Sequence, residues 1–108
     1  ILLFSPLFVR AMSVAERKIV TVAQERVNQL RFPSNEVLSN RDDIKKRRMD
    51  LERALTLGNL KKGKVQIIFE DDGGLKMVET TIWSLTDERV ILKGDTGIPM
   101  RRVVQVIA

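Results

Sequence analysis

The sequence predicts an α+β fold, with one or two N-terminal helices followed by a small antiparallel sheet or small barrel. The sheet is expected to be strongly bent and to hold four to five strands. Three observations predict this. Apolar residues recur at helical spacing as far as about residue 57, and at strand spacing from Val65 onward. Glycine-bearing turns cut residues 65–108 into short runs. The whole chain has 108 residues, which suits one small domain. Its expected divisions are an apolar extension over 1–12, a helical segment over 13–58 and a sheet or barrel over 59–108.

The apolar stretch Ile1 to Met12 carries Arg10 as its only charge. It reads as an upstream extension, with Met12 as the natural start. Two rivals are the end of a signal peptide, although no basic region precedes it, and a membrane anchor, although the run is too short to span. Packing of this stretch on the domain as a strand or helix is a further reading. Stable membrane insertion is not expected. Ser13-Val14-Ala15-Glu16 then has the form of a capping box. Ile19, Val20, Ala23, Val27 and Leu30 follow at helical spacing, which predicts a first helix over 14–31. Its β-branched run, Ile19 to Val22, lowers its propensity and makes it dependent on packing. Pro33 stops it.

After the Phe32-Pro33-Ser34-Asn35 turn, Ser39 or Asn40 can cap a second helix over 41–57. Asp42 and Asp43 suit its positive N-terminal end. Ile44, Leu51 and Leu55 mark its inner face, with Arg48 among them, and Gly58 is placed for a C-terminal cap. Two helices about a proline turn suggest a hairpin, with one kinked arm as the rival. Val65, Ile67 and Phe69 alternate with Gln66, Ile68 and Glu70 as a first strand. Asp71-Asp72-Gly73-Gly74 is a hairpin signal. A long strand runs from Leu75 to Leu85, a third over Val90 to Lys93, and a last over Val103 to Ile107. Pro99 belongs at a strand start or in a 3₁₀ turn, because it cannot donate to a ladder.

Composition narrows the chemistry. The chain has no Cys, no His and no Tyr, so disulfides, thiol nucleophiles, Cys/His zinc sites and histidine acid–base chemistry are excluded. No acid, base and nucleophile set converges in the sequence, so no enzyme, no cofactor and no metal site is expected. The acidic pairs Asp71-Asp72 and Asp87-Glu88 are explained by turn chemistry. Gly73-Gly74 lacks the Lys-Ser/Thr of a phosphate-binding loop. The net charge is +5. Residues 1–64 hold 14 of the 19 Lys and Arg and half of the 14 Asp and Glu, so the basic character lies in that half. The missing cysteines are compatible with a cytoplasmic location.

Lys93-Gly94, followed by Ile98-Pro99-Met100-Arg101-Arg102-Val103-Val104-Gln105-Val106, looks like the closing turn and strand of many small barrels. With Val78 to Trp83 and Val90 to Gly94, the stretch from about 40 to 108 resembles small bacterial proteins that join a charged helix to an Sm-like or similar barrel. The resemblance implies a small barrel. The glycine and asparagine pattern of Sm-type RNA-binding loops is absent, so no RNA site or catalytic residue carries over.

Lys45-Lys46-Arg47-Arg48 is the sharpest charge run. With Arg41, Lys61, Lys62 and Lys64 it forms the candidate nucleic-acid-binding set. The plainer reading is an ion-paired, solvated helix. Four successive helical residues fan round the axis, and Asp42–Lys46, Asp43–Arg47 and Arg48–Glu52 are all spaced to pair. Arg41 and Lys45 share a face and are the best unpaired contacts. Trp83, the only Trp, is expected to pack, with base stacking or a partner's pocket as the functional alternative. Arg101 and Arg102 read as edge charges against aggregation, or else as an anion clamp. Trp83, Arg101 and Arg102 are the candidate partner-binding residues. The expected function is therefore a non-enzymatic small-barrel binding module that contacts nucleic acid through its basic helix. The alternative is a protein-interaction or homo-oligomerisation module, motivated by the first helix's apolar stripe, which a small sheet cannot cover.

Overall fold

The computed structural model describes residues 18–61 and 63–107. The architecture is α+β, with one main helix and two mainly antiparallel sheets. The helix α1 runs over Arg41–Lys61. Asn40 Oδ1 caps it by accepting from the amides of Asp42 at 2.7 Å and Asp43 at 3.4 Å. The chain stays helical through Gly58, so the expected cap there does not form. Glycine permits a left-handed stop but does not impose one.

No first helix forms over residues 18–31. Val20–Thr21 is instead a short strand, β1, and Gln24–Gln29 is a 3₁₀ helix. The β-branched run decides the outcome. Val20 and Thr21 pair in parallel with Lys76 and Met77, and the Val22 amide extends the ladder to the Met77 carbonyl at 2.9 Å. The helical hairpin is thereby overturned. The capping box at 13–16 lies outside the described residues, as does the extension at 1–12. Val27 is fully buried, and Val22 and Leu30 pack against the same core. Of the stripe that motivated self-association, Val27 is buried and Ile19 and Leu30 are half-buried, while Val20 and Ala23 stay exposed, so the chain covers it only in part.

The remaining strands are β2 (Val65–Asp71), β3 (Gly74–Thr80), β4 (Ile82–Leu85), β5 (Arg89–Leu92), β6 (Thr96–Pro99) and β7 (Val103–Ile107). One sheet has the order β1-β3-β2-β7 and the other β4-β5-β6. The strands form two separate sheets, not a closed barrel. The expected long strand is broken at Thr81, so its first half serves one sheet and its second half the other. The Thr81 carbonyl accepts from the Lys93 amide at 2.9 Å across this break. Asp72-Gly73 makes the expected tight turn, with Gly74 at φ 128°. Pro99 ends β6 and leads into the 3₁₀ turn Met100–Arg102, which returns the chain to the first sheet.

The core lies between the two sheets and α1. Ile67, Phe69 and Val78 come from one sheet, Ile82, Val90, Leu92 and Ile98 from the other, and Leu51 and Ala54 from α1. Burying each large side chain contributes about 1.5–3 kcal/mol. Arg47 occupies the same inner stripe of α1 as Leu51 and Ala54. Its side chain is 4% exposed. It meets Glu36 with two hydrogen bonds, of 2.7 and 2.6 Å, and donates to the Val103 carbonyl at 3.1 Å.

Burial alone would raise the Glu36 pKa. The hydrogen bonds from Arg47, the Leu38 amide, the Arg47 charge and the Val37 amide together outweigh it and hold the carboxyl below its ordinary value. A carboxyl depressed in the folded state stabilises the fold above its unfolded pKa, and that stability is lost as pH falls through the folded pKa. Glu36→Gln is therefore expected to cost about 2–3 kcal/mol at neutral pH, because it leaves a buried guanidinium without its counter-charge. The deficit shrinks at acid pH, where Glu36 itself becomes neutral. Urea denaturation of both proteins at neutral and acid pH tests this; equal deficits at the two would contradict it.

Candidate functional site

The segment from Arg31 to Leu38 has no regular structure, yet almost every residue in it is tied down. The Arg31 carbonyl accepts from the Asp72 amide at 2.9 Å. Phe32 packs on Phe69, with ring centroids 5.8 Å apart and planes tilted by 49°. The Ser34 carbonyl accepts from Arg101 Nη1 at 3.3 Å. Asn35 accepts from Arg102 Nη1 through its carbonyl at 2.8 Å and its Oδ1 at 3.2 Å. Val37 donates its amide to the Arg101 carbonyl at 3.0 Å. The segment therefore stands as a fixed wall beside the second sheet.

The opposite wall is the turn between β4 and β5, together with the end of β6. Thr86 Oγ1 accepts from the Glu88 and Arg89 amides at 3.2 and 2.9 Å, which fixes the turn. The Glu88 carbonyl accepts from the Met100 amide at 2.7 Å. Arg89 stands opposite Pro99 in the ladder, and its guanidinium lies over Gly97. A Cβ at Gly97 would come within 2.5 Å of Arg89 Nη2, so only glycine gives the guanidinium this resting place.

Between the two walls lies an open groove of about 280 Å³. Phe32, Pro33 and Pro99 supply apolar surface, and Glu88, Arg89 and Arg101 supply charge. Among the described residues none of these three charged groups has an ion-pair partner. A smaller cleft of about 160 Å³ separates α1 from β7. Both of its cations are already paired, Lys46 with Asp50 and Arg47 with Glu36.

The helix run is dispersed. Arg41 and Lys45 are exposed on α1, and Lys64 is exposed before β2. Lys46 pairs with Asp50 at 2.7 Å, not with Asp42. Arg48 pairs with Glu52 at 3.1 Å, as its spacing suggests, and also donates to the Thr86 carbonyl at 2.8 Å. Arg47 pairs with Glu36, not Asp43, and its burial removes it from any outward basic face. The side chain of Lys61 and all of Lys62 lie outside the described residues.

Arg101 is exposed in the groove, whereas Arg102 is only 2% exposed. Arg102 donates from Nε to the Glu70 carbonyl at 2.9 Å and stands 3.6 Å from the Glu70 carboxylate. The two arginines are therefore not a pair of edge charges. Trp83 does not pack in the core and is 55% exposed. A bulge between Ile82 and Ser84 puts Ile82 inward and leaves Trp83 outward. Phe32, Pro33, Glu88, Arg89 and Pro99 were not legible as site residues. They are distant in sequence, and each is explained locally as turn or strand chemistry.

Among the described residues no group of three or more acidic side chains gathers to hold a metal ion. No described helix is long and apolar enough to cross a membrane. No family model, curated protein or solved structure matches the chain.

The exposure of Trp83 has a spectroscopic consequence. Its fluorescence in the folded protein is expected to be water-like and freely quenched by acrylamide. Trp83→Ala is expected to change stability by less than about 1 kcal/mol. A blue-shifted, protected emission would contradict the outward placement.

Proposed function

We propose that the chain is a non-enzymatic binding module on a small two-sheet α+β scaffold, and that it contacts nucleic acid. The observation that carries this reading is the groove, where Arg89 and Arg101, which have no ion-pair partner among the described residues, line apolar Phe and Pro surface. Guanidiniums suit phosphates, and flat apolar side chains suit the faces of unstacked bases. Arg41, Lys45 and Lys64 add long-range attraction. The contact is thus transferred from the helix run to the groove. The same reading places the protein in the cytoplasm, where such partners are at hand.

The second reading, a protein-interaction or homo-oligomerisation module, is favoured by exposed Trp83 and by Met49, which is 59% exposed on α1. A mobility titration of the full chain with single- and double-stranded RNA and DNA separates the two. For two to three phosphate contacts, affinity for a single strand is expected to fall about 7- to 20-fold between about 50 and 200 mM salt. Arg101→Glu is expected to remove this binding, and Lys45→Glu only to weaken it. No binding at micromolar protein, or binding indifferent to salt, would overturn the nucleic-acid reading.

A further inference from the structure

Glu88 is the feature of the groove that plain phosphate binding leaves unexplained. A carboxylate beside two guanidiniums ordinarily pairs with one of them. Here no ion pair joins Glu88 to Arg89 or Arg101, although all three line one groove of about 280 Å³. The arginines are instead held by other means. Arg101 donates to the Ser34 carbonyl, and Arg89 rests on the bare backbone of Gly97. The groove therefore presents an acceptor and two cationic donors together, on an apolar floor.

That combination restricts the ligand. A simple phosphate gains nothing from Glu88 and is repelled by it. An acidic peptide is repelled in the same way. A double helix keeps its bases stacked and its pairing edges occupied. A single-stranded nucleotide uses every group, provided that its base carries a donor for the carboxylate. Exocyclic amines are such donors: cytosine N4 and adenine N6 each present one at the pairing edge. Uracil presents a lone imide N–H between two carbonyl oxygens, which repel a carboxylate. The volume lies near the lower end of small-ligand sites, so it suits one nucleotide.

Resting on the nucleic-acid reading above, we infer that the groove holds one nucleotide of a single strand and selects an amine-bearing base. The base lies against Phe32, Pro33 and Pro99, with its amine donating to Glu88. The adjoining phosphate lies between Arg89 and Arg101. Glu88 is the selecting residue, and Gly97 positions Arg89.

Fluorescence anisotropy with labelled oligo(C), oligo(A) and oligo(U) RNA of about eight nucleotides tests this on the full chain. Oligo(C) and oligo(A) are expected to bind at least about fivefold more tightly than oligo(U). Glu88→Gln is expected to erase that preference and to strengthen oligo(U) binding, since it removes a repulsive charge. Gly97→Ala is expected to weaken all three severalfold without changing any charge, because it lifts Arg89 from its seat; thermal melting of each variant confirms that it is folded. Equal, salt-sensitive binding of all three oligomers, unchanged in Glu88→Gln, would overturn the inference while leaving the nucleic-acid reading intact. A polyglutamate peptide that competes as well as oligo(C) would overturn it too. No binding of any oligomer would overturn both.

Discussion

Two buried guanidiniums hold this structure in its shape. Arg47 reaches from α1 to Glu36 and the start of β7, while Arg102 reaches from the 3₁₀ turn to Asn35 and the end of β2. Between them they fasten a segment that has no secondary structure of its own. Arg102 satisfies the Asn35 carbonyl and Oδ1, and Arg47 satisfies the Glu36 carboxylate, so the segment is held by side-chain hydrogen bonds in place of a ladder. Arginine suits the task because one side chain offers five donors in a rigid fork and can serve several acceptors at once. Removing either clamp would free the wall that carries Phe32, Pro33 and Ser34. The groove depends on charges that lie outside its own lining.

The same physics separates arginines that are neighbours in sequence. Successive residues in a 3₁₀ turn point about 120° apart. Arg102 therefore turns into the protein while Arg101 faces the groove. In α1 the step is about 100°, so Arg47 faces inward while Lys45 and Lys46 face solvent. A run of like charges in sequence thus splits into structural and outward members. Counting the run overstates the outward charge and misses the structural role.

What the sequence disclosed follows from this. Signals that are local and strong were legible: the Asn40 cap, the Asp72-Gly73 turn, and the alternation of β2 with its buried Val65, Ile67 and Phe69. The 14–31 helix failed over its described part because its apolar spacing fits two outcomes. The spacing of Val27 and Leu30 serves a 3₁₀ turn as well as an α-helix, and the β-branched run before them found a strand partner. Gly58 failed as a stop because its signal is permissive. The site was the least legible part. Phe32, Glu88 and Pro99 converge only after Arg102 and Arg47 have fixed the wall, and nothing in the local sequence of any of them records that convergence.

Gly97 shows how a site can be shaped by what is missing. Its backbone does not require the left-handed region, and a strand gains stability from a side chain at such a position. A residue with a Cβ would satisfy the ladder between β5 and β6 equally well, yet it would collide with the guanidinium of Arg89. Glycine at this point leaves room for the Arg89 guanidinium, which a Cβ would displace. Arg89 makes no ion pair with any described residue, so that placement does little for folding. Arg89 lines the groove with Glu88, which likewise pairs with no described residue, beside the apolar surface of Phe32, Pro33 and Pro99.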